Sequence, residues 1–481
     1  MKVLNFWKII FAILSIVAVT FLIPIVTAIF CNEYEMILPF VIPMTIVVLC
    51  FLIVYLFTKG KPINLTIRST FLVVACGWLF SAFFCSIPLY LSGYFPSFTD
   101  AVFEGVSGIT TTGATILADV EILPRSLNLW RCQTHWLGGM GIVALTVALF
   151  PLLGVGGFQL IKAETTGPEK GKVTPKITTT AKVLWLIYLF FTVIETVLLM
   201  FAGMDFIDAL SHAFSTLGTG GFSTKNSSIA FYNSASIEWI CMLFMFLAGV
   251  NFSLFFYMFR GKFSEVSKNT EFKAYIAIVF IATSLVAIII RPQVDNIFES
   301  IRYSLFQVLT VMTTTGFSTF DYTQMLVPAQ LVIFTLFFLG GSSGSTSGGV
   351  KIIRWVILGK QLRNEMMRTL HPHGVFSIRL NGKVGRKDVV FSVASFITCY
   401  MFLVFITTFV GTIFNLDLFS AFSGALTMVG NVGPGFGVLG PSFNCGGLES
   451  GLKWFYMFAM IAGRLELYTL IIFFFAGYWK K

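Results

Sequence analysis

Residues 100–115 read DAVFEGVSGITTTGAT. The stretch opens on an acid, runs for about three helical turns, and ends in a Thr/Gly loop too polar and too short to cross a bilayer. The pattern recurs as DALSHAFSTLGTGGFST (208–224), ESIRYSLFQVLTVMTTTGFST (299–319) and DLFSAFSGALTMVGNVGPGFG (417–437). A recurrence of this length is an internal repeat and governs any reading of the fold. The central glycines are Gly113, Gly220, Gly316 and Gly433.

Apolar runs surround these stretches. Of the 481 residues 56% are hydrophobic and 11% charged, against about 25% charged in soluble domains. The runs 6–30, 37–57, 71–91, 239–259, 389–414 and 454–478 each reach the roughly 20 residues that span a hydrocarbon core. Lipid leaves backbone polar groups unsatisfied, so each must be helical. The first run is too long for a signal peptide and lacks a small-residue cleavage site. The predicted fold is therefore all-α and polytopic. Two extra N-terminal spans (1–60) precede four segments of helix, short helix with loop, and helix (65–155, 180–260, 270–360, 385–481), ten spans in total.

The net charge of +10 does not point to nucleic acid. Lys and Arg concentrate in 59–68, 162–182, 260–273 and 351–387, which alternate with acid-rich connections. This is the positive-inside pattern, and it puts both termini in the cytoplasm. The eight cysteines show no paired spacing, and there is no metal-ligand cluster or phosphate-binding motif.

The four loops suggest a chemistry. A cation entering a membrane must exchange its water for fixed oxygens. Backbone carbonyls of extended, Gly-relieved chain supply these in potassium channels, through four loops reading Thr-Val-Gly-Tyr-Gly. Aligned on their glycines, the present loops read Thr111-Thr112-Gly113-Ala114, Gly218-Thr219-Gly220-Gly221, Thr314-Thr315-Gly316-Phe317 and Asn431-Val432-Gly433-Pro434. Each is similar to one degenerate copy of that filter, so one chain would furnish all four sides of a potassium-binding ring. The short helices would aim their negative C-termini at the ion. Asp100, Asp208, Glu299 and Asp417 would sit at the positive ends and draw cations to the outer mouth.

Two further features stand out. Residues 340–349 (Gly340, Gly341, Ser342, Ser343, Gly344, Ser345, Thr346, Ser347, Gly348, Gly349) interrupt the second helix of the third segment with Gly, Ser and Thr alone. Irregular chain at membrane depth must be buried in protein or face water. Arg464 is the one basic residue expected deep within a span, where a charge is costly and functional by default. Glu466, two residues on, is poorly placed to pair with it. Glu195 is also expected mid-span. His135 and His212 are single histidines without a nucleophile–base pattern, and His371 and His373 belong to a basic loop.

Taken together, the four loops, Arg464 and the Gly/Ser/Thr break resemble the Trk/Ktr-type potassium uptake proteins over about 65–481, and the extra N-terminal pair resembles the Trk branch. The resemblance implies a homodimer in the bacterial cytoplasmic membrane, one pore per subunit, and a cytoplasmic nucleotide-binding regulatory subunit, for which 359–387 is the candidate docking loop. It implies that 340–349 is a movable plug beneath the filter and that Arg464 faces the ion path. Some plant relatives with Ser at the first filter glycine prefer sodium; Gly113 is intact here. Ala114, Gly218 and Pro434 depart from the channel signature and imply a less symmetric filter. The implied cargo is potassium (rubidium as its tracer), with no bound cofactor. The rivals are a secondary transporter with a broken-helix solute site and a membrane-embedded enzyme, for which no catalytic constellation is present.

Overall fold

The protein is described by a computed structural model covering residues 3–59, 66–141, 177–384 and 388–480. It is helical throughout, apart from one two-stranded hairpin. An N-terminal pair comprises α1 (Val3–Thr20) with α2 (Leu22–Phe30), and α3 (Ile37–Thr58). It packs on the first of four similar segments. Phe21 anchors it: its ring centroid lies 5.1 Å from Phe84, 4.7 Å from Trp130 and 5.7 Å from Phe40.

Each segment has a long helix, a short helix, a loop and a further helix. The first has α4 (Ile67–Leu91), α5 (Phe98–Ile109) and α6 (Arg125–Gly139). The second has α7 (Ile177–Phe201), α8 (Phe206–Gly218), α9 (Ala235–Ala248) and α10 (Phe252–Phe259), followed by the short α11 (Phe263–Ser267). The third has α12 (Thr270–Ile290), α13 (Ile297–Met312), α14 (Val327–Leu336) and α15 (Ile352–Leu370). The fourth has α16 (Asp388–Ile413), α17 (Leu418–Gly430), α18 (Ser450–Arg464) and α19 (Tyr468–Ile471). Within each, the short helix packs on the helix before it and the helix after it.

The short helices start where a polar side chain satisfies their free N–H groups. Ser97, Asp205, Asn296 and Asp417 accept from the backbone N–H of Asp100, Asp208, Phe298 and Ser420, at 3.1, 2.8, 3.1 and 3.0 Å. Asp100, Asp208 and Glu299 fall in the first turns, where the dipole favours an acid.

Among the described residues six helices, counted with α1 and α2 as one, are long and apolar enough to cross a membrane. The expected single runs 239–259 and 454–478 are not continuous. Helix α9 turns into α10 through 94°, and α18 turns into the 468–474 segment through 110°. Helix α14 likewise ends before the 340–349 break, and α6 stops at Gly139; residues 142–155 of the first segment lie outside the described residues. The breaks fall at equivalent sequences: Leu137-Gly138-Gly139, Leu247-Ala248-Gly249, Leu339-Gly340-Gly341 and Ile461-Ala462-Gly463. Hydropathy runs through all but the third, which is why composition alone reads two of these spans as straight. At the last break Glu466 and Leu467 have φ of 52° and 58°, a costly region for such residues.

Candidate functional site

The loops after α5, α8, α13 and α17 share one backbone course. A residue in the left-handed region, Thr111, Thr219, Thr314 or Asn431 (φ 55°, 54°, 59° and 55°), is followed two positions later by a left-handed glycine: Gly113, Gly221, Gly316 or Gly433 (φ 78°, 82°, 83° and 94°). Left-handed φ at a β-branched residue is a strained outlier costing about 1–3 kcal/mol, and it recurs in three loops of four. The hydrogen bonds that close each helix end follow the same register. Thr112 donates its N–H to Ser107 O, Gly220 to Ser215 O, Thr315 to Thr310 O and Val432 to Thr427 O, each 2.8–2.9 Å.

This corrects the alignment of the second loop by one residue. The conformational partner of Gly113 is Gly221, and Gly220 stands where the other loops have Thr112, Thr315 and Val432. A sequence signal existed: Gly221-Phe222-Ser223-Thr224 repeats Gly316-Phe317-Ser318-Thr319. Gly218 is the last residue of α8 and not part of the extended chain.

The four loops close into a ring. A Cβ added to Gly113 would collide with the carbonyl oxygen of Gly220, and one on Gly221 with that of Thr315. On Gly316 it would stand 2.5 Å from Val432 O, and on Gly433 2.5 Å from Thr112 O, returning to the first loop. Each glycine thus faces the carbonyl preceding the equivalent glycine of the next loop. The outer connections follow the same order. Asn226 Nδ2 donates to Asp119 Oδ1 (2.8 Å), Ala230 N to Ser318 O (3.2 Å), Tyr322 Oη to Gly435 O (2.5 Å) and Cys445 N to Thr115 O (2.8 Å). Beneath, α6 packs on α8, α9 on α13 and α18 on α5; Phe334 of α14 packs on Phe419 of α17, centroids 5.6 Å apart. The ring brings together Thr111, Thr112, Gly113, Thr219, Gly220, Thr314, Thr315, Gly316, Asn431, Val432 and Gly433, and the four helix C-termini run directly into it.

The 340–349 stretch lies against this ring. Gly348 N donates to Thr314 Oγ1 (2.7 Å), and a Cβ on Gly348 would come 2.5 Å from Gly430 O and 2.9 Å from Asn431 Cβ. Ser342 N donates to Gly249 O (2.8 Å), Phe252 N to Gly344 O (3.0 Å), and Ser343 N to Glu271 Oε1 (2.7 Å). Lys351 Nζ donates to Ser347 O. Arg464 ties the stretch to the first segment: Nη1 donates to Thr346 O (2.9 Å) and Nη2 to Gly138 O (2.6 Å) and Gly139 O (3.1 Å). Glu466 pairs instead with Arg354 at 2.7 Å.

Several buried charges were not legible. Arg131 of α6 is more buried than Arg464, 1% exposed. Its Nε and Nη2 reach Glu104 Oε1 at 2.8 and 2.6 Å. Glu104 Oε2 accepts from Ile116 N (3.0 Å), and Thr115 Oγ1 donates to Oε1 (2.9 Å), so the pair clamps the chain just beyond Gly113. Lys453 Nζ meets Asp100 Oδ1 at 2.7 Å, and Lys225 lies 3.7 Å from Asp208. Two of the acids expected to draw cations are therefore partnered. Glu195 is fully buried on α7. His371 and His373 are exposed beside a hairpin, Arg379–Leu380 with Lys383–Val384. The eight cysteines are all free. Among the described residues no three His, Cys, Asp or Glu side chains gather as a metal site.

Residues 39–481 match the family model TrkH, described as a cation transport protein. The chain belongs to the TrkH family. Among its relatives, the Trk system potassium uptake protein TrkH of Halomonas elongata is 38% identical over 92% of each chain. The TrkH of Escherichia coli K12 is 37% identical over 86% of each, and TrkG of the same organism is 35% identical over 88% of each. The structure superposes on the crystal structure of the potassium transporter TrkH from Vibrio parahaemolyticus with a TM-score of 0.89, 31% identity and full coverage of both chains.

Proposed function

We propose that this TrkH-family chain mediates potassium uptake across the bacterial cytoplasmic membrane, with the carbonyls of the four-loop ring as its selectivity filter. One observation carries the reading: four strained Thr/Asn–x–Gly turns meet in a closed ring in which every glycine is needed to let the next loop's carbonyl approach. Such a ring replaces hydration water with fixed oxygens, and four helix C-termini add negative potential beneath it. The relatives named above are potassium uptake proteins, which agrees with this cargo and with transport in place of catalysis. In this reading the filter comprises residues 111–113, 219–221, 314–316 and 431–433, and each segment contributes two of ten crossings, α1–α2 and α3 the first pair, with both termini inside.

The 340–349 stretch acts as a plug below the filter. It touches the third and fourth loops, leans on the break of the second segment, and is tied by Arg464 to the break of the first, so it spans the ring's underside. Arg464 then serves both as latch and as a positive barrier on the ion path. The chain works as a homodimer regulated by a nucleotide-binding cytoplasmic partner that docks on the α15–hairpin region.

The test is rubidium tracer uptake by proteoliposomes, with sodium as competitor. Gly113→Ser, which pushes on the Gly220 carbonyl, should lower rubidium-over-sodium selectivity at least tenfold. Selectivity unchanged by serine at each of Gly113, Gly221, Gly316 and Gly433 would refute the filter. Uptake of organic solutes in place of rubidium would favour a secondary transporter.

A further inference from the structure

The second loop departs from the first and third in a way that points outside itself. In the first and third loops a pair of threonines braces the extended chain: Thr110 Oγ1 and Thr112 Oγ1 lie 2.8 Å apart, as do Thr313 Oγ1 and Thr315 Oγ1. Thr110 and Thr313 also donate to Val106 O and Leu309 O, both at 2.7 Å, which anchors each brace to its short helix. In the corrected register the second loop has Gly218 and Gly220 at both brace positions. Neither glycine has a positive φ, so backbone conformation does not demand them.

What demands them is His135. The atoms nearest to a Cβ on Gly218 are His135 O, C and Cβ, at 2.6, 2.7 and 3.1 Å. A Cβ on Gly220 would collide with the imidazole itself, at Nδ1, Cγ and Cε1. The ring is fully buried and stacks on Phe222, centroids 4.1 Å apart at 29°. Among the described residues neither ring nitrogen has a hydrogen-bond partner, so packing alone holds it. Arg131, one turn earlier on α6, lies over the same Phe222 ring at 4.3 Å. Counted from the break glycines, His135 is equivalent to Met245, Phe337 and Ala459, all apolar. Only the first segment places an imidazole there. The fourth loop lacks the threonine brace too, with Gly430 and Val432 at the brace positions, but it keeps a side chain at the second of them, where the second loop has none.

We infer that His135 is a positioning residue for the second loop, its imidazole standing in for the missing Thr–Thr brace and setting the Gly220 carbonyl from the neighbouring segment. The inference rests on the filter reading above. A truncated ring leaves a cavity behind Gly220, and a loop with glycine at both brace positions has no side chain of its own there to hold its carbonyl at one distance. His135 thereby sets selectivity without touching the ion.

A mutant cycle tests this with rubidium and sodium uptake in proteoliposomes and with assembly checked by gel filtration. His135→Ala should lower rubidium-over-sodium selectivity at least tenfold, with a smaller change in maximal rate. Gly220→Thr in the native background should lose assembly or transport, because the threonine and the imidazole compete for one space. In His135→Ala/Gly220→Thr the threonine regains that space, and selectivity or assembly should recover at least fivefold over Gly220→Thr alone. If the double variant is no better than Gly220→Thr, or His135→Ala assembles and selects as the parent does, the inference is overturned. Gly113→Ser in the same assay separates the two levels. Selectivity lost there but kept in His135→Ala removes the role of His135 and leaves the filter; selectivity kept in both removes the filter.

Discussion

Replacing Arg464 with alanine should unlatch the 340–349 stretch, and the size of the effect can be estimated from the bonds it makes. The guanidinium bonds the stretch from Nη1 to Thr346 O at 2.9 Å, while its other nitrogen grips the end of α6 through Gly138 O and Gly139 O. A hydrogen bond from a charged donor contributes about 1.5–3 kcal/mol, and each 1.4 kcal/mol is about a tenfold change in an equilibrium. Loss of the Thr346 bond therefore shifts the seated-to-displaced ratio about ten- to a hundredfold. The bonds from Gly348 N to Thr314 and from Ser343 N to Glu271 remain, so the stretch is loosened and not released. Rubidium uptake should rise by a comparable factor until the displaced state predominates, and removing the positive charge from the path adds in the same direction. Arg464→Lys keeps the charge but loses the fork that reaches two elements at once, and should fall between. The assay pairs initial rubidium uptake with thiol labelling of a Ser345→Cys reporter in a background cleared of native cysteines. Uptake and labelling both within twofold of the parent, in a protein that assembles normally, would show that Arg464 does not hold the stretch.

Three other outcomes follow from the same geometry. Gly221→Ser should impair rubidium-over-sodium selectivity as strongly as Gly113→Ser in competition assays, because each pushes on the next loop's carbonyl; a selective Gly221→Ser protein would argue against the corrected register. Deletion of 342–347 should raise basal flux and abolish its regulation, read as rubidium efflux from loaded vesicles. Glu104→Gln should leave Arg131 buried and unpaired, a loss of about 3–5 kcal/mol visible as a lower thermal transition in detergent, whereas a Glu104→Gln/Arg131→Met double variant should recover part of it.

Much of the fold was readable because its causes are local. The acids and capping residues at 97–100, 205–208, 296–299 and 417 start the short helices by satisfying adjacent N–H groups, which needs no knowledge of what lies across the molecule. The glycine-centred loops were legible because left-handed turns select glycine. The one-residue error in the second loop arose because GTGG offers two adjacent glycines, Gly220 and Gly221, after its threonine, and the choice between them depends on which residue takes the left-handed turn. The breaks within 239–259 and 454–478 are not legible, because hydropathy sees lipid-compatible side chains and not the direction of the axis. Arg131 escaped notice because its neutralising partner, Glu104, lies 27 residues away on another helix.

Composition and periodicity by themselves determined that this chain is helical, built for a membrane, and fourfold in its internal pattern, since burial in lipid and helix capping act on neighbouring residues. Only the tertiary structure decided that the glycines face one another's carbonyls in a closed circle, that Arg464 grips two segments at once, and that a histidine of the first segment occupies the side-chain space of the second loop. Those relations join residues one segment or more apart in sequence, and steric contact at such separation exists only once the four segments have packed.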